Sequence, residues 1–307
     1  MSNQRTWAGM NIMVTGASGF IGTHLCRVLH QDGSHVHAVS RVKRVTEPGG
    51  ITWWQGDLAD LATARRLMCT IKPNIVFHLS GMATARPGVD LVLPTFHSLL
   101  ESTVNLLTVS VGAPLHRIVL VGSMTEPEIS HGELMPSSPY AAAKWASSLY
   151  GRMFRRLYGT PCVIARCFMA YGPAQDHAKL IPSVILSLLK GEAPKLSRGQ
   201  WQADWIYIDD VIDGFLKAVE ASHIGERTLD FGSGKAISVR ELVCQLVRLM
   251  DGTVEPVFGA LPDRPFESMR IADIDDVYAQ IGWKPSTSLT DGLRRTIDWY
   301  RAHSLEP

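Results

Sequence analysis

The chain has 307 residues, 46% of them apolar and 19% charged, enough to bury one large core or two small ones without disulfide staples. Its 30 Lys+Arg balance 29 Asp+Glu at a formal charge of +1, and no run approaches the roughly 18 to 20 apolar residues of a bilayer span, which argues against nucleic-acid and membrane partners. The polar start MSNQRTWAGMN lacks the apolar stretch of a signal peptide, and five scattered cysteines without C-x-x-C spacing suggest neither a disulfide framework nor a zinc site, so the sequence reads as a soluble, cytoplasmic protein with no metal and with buried free thiols.

In chain order, the first Val/Ile-type run, 11–15, leads directly into Thr15-Gly16-Ala17-Ser18-Gly19-Phe20-Ile21-Gly22 and a segment of helical period, 20–31. A G-x-x-G-x-x-G spacing between a strand and a helix is the setting in which glycines make a phosphate-binding turn. Gly16 permits the tight turn, Gly19 lets backbone approach a pyrophosphate, and Gly22 lets helix and strand pack closely. Ser18, Phe20 and Ile21 complete a helix N-terminus whose N–H groups and positive dipole favour an anion, so the loop points to a dinucleotide.

The next strand, 35–40, ends in Ser40-Arg41, where dinucleotide folds that prefer NAD usually carry an acid for the ribose 2′-hydroxyl. With no acid there, Ser40 and Arg41, helped by Lys43 or Arg44, suit a 2′-phosphate, so the cofactor reads as NAD(P) with NADP favoured over NAD. Gly56-Asp57-Leu58 follows a third strand and puts Asp57 and Leu58 beside the adenine; a helix then covers 58–70. The fourth strand, 75–79, ends in His78-Leu79-Ser80-Gly81, with Leu79, Ser80 and Gly81 beneath the nicotinamide ribose.

A helical segment over 90–110 precedes a strand over 117–122 that closes on Ser123, in Val121-Gly122-Ser123-Met124-Thr125. Ser138-Pro139 then opens a helix over 139–158 that Gly159 and Pro161 stop. Tyr140 and Lys144 stand at i and i+4 on one face of it. A lysine ammonium about 5 Å from a phenol, at an effective dielectric near 20, favours the phenolate by about 3 kcal/mol, which makes the tyrosine a usable general base near neutrality. Ser123 is placed to hydrogen-bond the same substrate oxygen. A strand at 162–166 completes a βαβα alternation that predicts an α/β fold, a doubly wound parallel sheet of Rossmann type.

Beyond Tyr171-Gly172-Pro173 the helices shorten, a helix opens at Asp209 or Asp210, and a strand covers 227–231. The expected division is a dinucleotide-binding domain of 1–171 and 205–231 and a smaller interleaved α/β substrate lobe of 172–204 and 232–307.

Taken in order, Thr15 to Gly22, Gly56-Asp57-Leu58, Phe77-His78-Leu79, Ser123, Ser138-Pro139-Tyr140 to Lys144, Arg166 with Tyr171-Gly172-Pro173, Asp204 to Val211 and Arg264-Pro265 resemble, over nearly the whole chain, the extended short-chain dehydrogenase/reductase family in its nucleotide-sugar epimerase and dehydratase branch. The resemblance implies an enzyme in which Tyr140 exchanges the proton of a sugar hydroxyl while hydride passes between that carbon, usually C4, and the nicotinamide. Lys144 then binds the nicotinamide ribose and Ser123 orients the sugar oxygen. It implies substrate-side positions at Met82, Ser123, Met124, Thr125, Met169, Gln202 and Arg264, and a homodimer formed through the helices at 90–111 and 139–158.

Departures from the family pattern narrow the chemistry. Dehydratases of the branch follow the catalytic Ser or Thr with Asp-Glu; here Met124 and Thr125 stand in those places, and Glu126, one position on, is the candidate base if the loop slips by a residue. Met169-Ala170 replaces the usual Asn before Tyr-Gly-Pro, and Ala203 replaces the Arg before Asp204, leaving Arg264 with Arg198 and Gln202 for the diphosphate. Trp201 and Trp205 either stack on a base or pack within the second lobe. Epimerisation at C4 leads, followed by an NADPH-dependent 4-ketoreductase and then a dehydratase. From another class, a non-catalytic dinucleotide sensor is disfavoured by the presence of both Tyr140 and Lys144.

Overall fold

A computed structural model describes residues 7–46, 49–84, 86–127, 135–222, 228–252, 254–263 and 269–303. In the N-terminal half, short buried runs form strands and amphipathic segments form the helices between them. β1 (Asn11–Thr15), α1 (Phe20–Gln31) and β2 (His35–Ser40) have the bounds the periodicity predicts, and β3 (Thr52–Gln55) follows. α2 (Leu61–Ile71) opens later than expected because the Asp60 carboxylate caps it, accepting the N–H groups of Ala62 and Thr63 at 3.3 and 3.0 Å. Leu58 is left buried in the preceding loop, and β4 (Ile75–His78) comes next.

The segment expected as one helix over 90–110 is instead broken into a 3-10 turn at Val89–Leu91, α3 (Val92–Thr95), a π-helical turn at Phe96–Glu101 and α4 (Ser102–Ser110). Side-chain hydroxyls turned back on the backbone accompany the break. Ser98 donates to Pro94 O at 2.6 Å, Ser102 to Ser98 O at 2.7 Å and Thr103 to Leu99 O at 2.6 Å, a competition that loosens the regular ladder. β5 (Arg117–Ser123) runs one residue past its expected end. α5 (Pro139–Tyr158) is capped by Ser138, which accepts the Ala141 N–H at 3.2 Å, and stopped by Gly159 at φ +66°; β6 (Cys162–Cys167) follows.

The later elements are β7 (Met169–Tyr171), α6 (Leu180–Leu189), β8 (Lys195–Leu196), β9 (Gln202–Tyr207), α7 (Ile208–Glu220), β10 (Leu229–Phe231), β11 (Ala236–Ser238), α8 (Val239–Leu249), β12 (Val257–Phe258), α9 (Ile274–Ile281) and α10 (Leu289–His303). α7 thus opens one residue before Asp209. Residue 227, expected to begin β10, lies outside the described residues.

Among the described residues, seven strands form one sheet in the order β10-β6-β5-β4-β1-β2-β3. β1 through β5 pair in parallel, with Val14 opposite both Ala38 and Phe77. Successive strands run outward from β1 to β3, then restart at β4 on the other side of β1. That reversal opens a crevice at the carboxyl ends of the strands, where ligands of doubly wound folds sit. The chain divides into two compact units, 1–166 with 215–229 and 167–214 with 230–307. The crossings expected at 171, 204 and 231 fall at 166, 214 and 229, since β7 pairs with β9 inside the second unit. That unit carries a three-stranded sheet, β11-β9-β7, and the small β12-β8 pair.

Cys26, Cys162 and Cys167 are buried thiols in no disulfide, and burial pushes Cys26 up to about 12 and Cys162 to about 11. Cys69 is exposed and Cys244 half-buried, a correction to the expectation that all five are interior. Among the described residues no helix is long and apolar enough to cross a membrane.

Candidate active site

The cavity in the first unit lies at that crevice, with a volume of about 230 Å³. Its walls come from strand ends: Gly16, Ser18 and Gly19 after β1, Val39 to Val42 at the end of β2, Gly56, Asp57 and Leu58 after β3, and Leu79, Ser80 and Gly81 after β4. Ten of the expected cofactor residues are therefore brought together here, Ser40 and Arg41 among them. The other five do not line the cavity: Phe20, Ile21 and Gly22 form the first turn of α1, and Tyr140 and Lys144 stand on α5.

Space and backbone explain the glycines. Gly16 has φ +67°, and a Cβ there would lie 2.8 Å from the Leu79 carbonyl; one on Gly22 would lie 2.7 Å from the Ala17 Cα. No side chain caps α1 at Gly19, and its first turn carries no acidic residue, so the helix presents N–H groups and positive dipole without a built-in anion. A loop of this form fits a dinucleotide pyrophosphate, which Gly16, Ser18 and Gly19 would hold. At the end of β2 Ser40 is buried, its Oγ 3.4 Å from Ser18 Oγ and accepting the Val42 N–H at 3.2 Å, while Arg41 is exposed. Arg44 lies over the Trp53 ring at 5.1 Å.

Beneath the loop, a buried hydroxyl network holds His78. Its Nδ1 lies 2.8 Å from Thr15 Oγ1 and 3.3 Å from Ser80 Oγ, and its Nε2 lies 3.1 Å from Thr103 Oγ1. Burial, with the Lys144 ammonium nearby, depresses the imidazole to about 3, so it stays neutral and ties β1, β4 and α4 together.

The Tyr–Lys pair sits at the N-terminus of α5. Pro139 occupies the first turn, Tyr140 follows half-buried, and Lys144 one turn later is 8% exposed. Lys144 Nζ donates to Val121 O at 2.7 Å, which latches α5 to β5 two residues before Ser123. Ser123 Oγ lies 2.9 Å from Thr125 Oγ1 and accepts the Thr125 N–H at 3.2 Å. Met124 is buried, and Met82 is half-buried with its N–H donating to Ser98 Oγ at 3.3 Å. The Glu126 carboxylate turns into the interior: the residue is 4% exposed, and its Oε1 accepts the Ser123 N–H at 2.7 Å and the Ser148 hydroxyl at 3.1 Å.

In the second unit, Met169 on β7 pairs in register with Trp205 on β9, and Gln202 is exposed at the start of β9. Arg264 lies outside the described residues. Trp205 is 5% exposed, and its indole N–H donates to Ile237 O at 3.3 Å, the packing alternative of the two offered for it. Asp204, fully buried, accepts the Ser233 hydroxyl at 2.7 Å and the N–H groups of Gly234 and Ala272 at 3.0 Å each. Asp210 takes the Ser286 and Thr287 N–H groups, each at 3.0 Å. These two acids brace loops of their own unit.

The sequence matches the NAD dependent epimerase/dehydratase family over residues 12–231. The chain belongs to that family. It is an enzyme of the extended short-chain dehydrogenase/reductase branch, of the epimerase/dehydratase type. A UDP-glucose 4-epimerase of Mycolicibacterium smegmatis is 30% identical over 318 aligned residues, covering 96% of this chain and 100% of the relative. A dTDP-glucose 4,6-dehydratase of Shigella flexneri is 27% identical, covering 96% of this chain and 94% of the relative. Among solved structures, UDP-glucose 4-epimerase of Thermotoga maritima with UDP-glucose matches with a TM-score of 0.86 at 25% identity, covering 97% of this chain and 100% of that one. MoeE5 in complex with UDP-glucose and NAD matches with a TM-score of 0.84 at 26% identity, covering 96% of this chain and 100% of that one.

For a member of this family, sequence reasoning left five lining residues out of the expected cofactor set: Val39, Val42 and Gly56, which adjoin expected ones, and Ser98 and Ser102, which do not. Ser98 and Ser102 line the cavity as well, Ser98 within the π-helical turn and Ser102 at the start of α4. Their i, i+4 spacing, which puts two small hydroxyls on one helical face, was the available signal.

Proposed function

We propose that this family member is a nucleotide-sugar 4-epimerase. The observation that supports this over 4,6-dehydration is the Ser123–Glu126 turn: residues 124 and 125 carry no carboxylate, and the Glu126 carboxylate is occupied within the interior by the Ser123 N–H and the Ser148 hydroxyl. Elimination across C5 and C6 needs an additional acid/base pair. Inversion at C4 needs only that a proton and a hydride leave and return.

Bound NAD(P) supplies the hydride acceptor and donor. Tyr140 Oη takes the C4 hydroxyl proton as that carbon is oxidised, and returns it once the ketone has turned its other face. Lys144, close to the tyrosine by helical spacing, holds the nicotinamide ribose and favours the phenolate. Ser123 Oγ donates to the reacting oxygen. The first unit is read as the dinucleotide domain and the second as the substrate lobe.

A second reading, an NADPH-dependent 4-ketoreductase, is favoured by one feature. Ser40 and Arg41 line the cavity at the end of β2, and the 40–46 segment has no acid for a ribose 2′-hydroxyl. A homodimer belongs to the same proposal, since α3 and α5 leave Leu93 and Leu157 more than 60% exposed, with Phe96, Leu149 and Tyr158 also exposed.

The deciding experiment incubates the protein, loaded with NAD or NADP, with UDP-glucose, UDP-glucuronate and dTDP-glucose and follows the sugars by proton NMR. A C4 epimer with no net change in nicotinamide absorbance is expected. A 4-keto-6-deoxy product overturns the reading. No epimer in that panel, together with stoichiometric NADPH oxidation when the protein is given NADPH and a nucleotide 4-keto sugar, transfers it to the reductase.

A further inference from the structure

Glu126 is a buried acid to which the proposed reaction gives no chemical task. Its Oε1 accepts the Ser123 N–H at 2.7 Å and the Ser148 hydroxyl at 3.1 Å, and its Oε2 lies 3.9 Å from Arg166 Nη2. The Glu126 N–H donates back to Ser123 O at 3.1 Å, so the two residues are joined by reciprocal bonds across a tight turn. The seat for the carboxylate exists because residue 122 is glycine: a Cβ there would lie 2.5 Å from Oε1. Gly122 is not among the glycines with positive φ, so the lack of a side chain serves space rather than backbone conformation.

Burying a carboxylate is costly, and an apolar side chain of similar volume would fill the same seat more cheaply. What an apolar side chain cannot do is accept the N–H of Ser123. That N–H belongs to the residue whose hydroxyl is steered from the other side by Thr125, at 2.9 Å.

We propose that Glu126 is a positioning residue: it fixes the Ser123 backbone, and through it the Ser123 hydroxyl, in the orientation that hydride exchange requires, with Gly122 providing the room and Arg166 balancing the charge. The proposal rests on the reading of Ser123 as the residue that meets the reacting sugar oxygen. Gly122, Glu126 and Arg166 then form one device, carried on β5, the turn after it and β6.

Two substitutions separate positioning from simple structural support. Glu126→Gln keeps an oxygen acceptor for the Ser123 N–H but removes the charge facing Arg166. Glu126→Val removes both. With the nucleotide sugar that wild type turns over in the NMR panel, Glu126→Val is expected to lower kcat by about 100-fold at unchanged KM. Glu126→Gln lowers the melting temperature yet recovers most of that kcat. Hydrogen exchange read by mass spectrometry on the peptide containing Ser123 speeds up in Glu126→Val and stays slow in Glu126→Gln.

If Glu126→Val does not accumulate as folded protein, Gly122→Ala replaces it, since the added Cβ displaces the carboxylate; the same fall in kcat and faster exchange are expected. Wild-type kcat in Glu126→Val overturns the proposal, as does a kcat that follows melting temperature through both Glu126 variants, or unchanged exchange at Ser123. Should wild type turn over none of the panel sugars, the proposed reaction fails, while the exchange measurement still decides the anchor.

Discussion

Tyr140 sits one helical turn before a lysine that is itself latched, through Val121 O at 2.7 Å, to the strand carrying Ser123. Tyr140→Phe removes the proposed proton carrier and leaves the cavity walls intact, so turnover is expected to fall by about 100- to 10,000-fold, the range of general acid–base contributions. Steady-state assay and a cofactor titration check the two halves of that statement, and weakened NAD(P) binding in the variant would contradict it. His78 makes a pH prediction. The folded imidazole is depressed to about 3 from 6.5, so between those values the unfolded chain binds a proton that the native state refuses, and stability falls as pH drops from 6.5 towards 3. Carboxylates contribute in the same direction, so the informative quantity is the difference between wild type and His78→Asn. Urea unfolding at about pH 7 and about pH 5 is expected to show the larger loss in wild type. The cavity wall was partly legible residue by residue, because Gly16 and Ser40 line it at the strand ends where the chain signals put them, while Tyr140 and Lys144 share the first turns of α5 as their spacing implies. Glu126 was not. Whether that carboxylate faces a ligand or the interior depends on the space above Gly122, which no spacing rule reports.

The same contrast holds for the elements. α5 is bounded by a Ser cap, a Pro at its first position and a left-handed Gly, local signals that survive whatever the helix packs against, and its limits follow directly from the chain. The 90–110 segment shows the opposite case. Its apolar period implies one helix, but the segment is interrupted by a π-helical turn, beside which Ser98, Ser102 and Thr103 turn their hydroxyls onto backbone carbonyls. Hydropathy registers those residues as neutral, so the break and the two serines that line the cavity go unseen. For α5 the cap itself is testable. Ser138→Ala removes the acceptor of the Ala141 N–H and should cost about 1 kcal/mol in urea unfolding. Because Tyr140 lies in the first turn that this cap orders, kcat should fall as well while cofactor affinity holds.

At the scale of the whole molecule, a formal charge of +1 argued against a polyanionic partner without bearing on a small anion such as the dinucleotide that the NAD dependent family implies or the nucleotide sugar of the proposed reaction. The division into two interleaved units was visible as a change of rhythm after Tyr171-Gly172-Pro173. The crossings were placed less well, because they depend on which sheet β7 joins and on a boundary that falls inside α7. Two catalytic outcomes share this fold, and what separates them in the proposed reaction is where the C4 hydrogen travels. The most direct test supplies the nucleotide hexose picked out by NMR with deuterium at C4 and examines the product. Transient hydride exchange at one bound nicotinamide predicts a C4-inverted sugar with the deuterium still at C4. Deuterium moved to C6 of a 4-keto product, or a C4 epimer carrying solvent hydrogen at that carbon, would contradict the account.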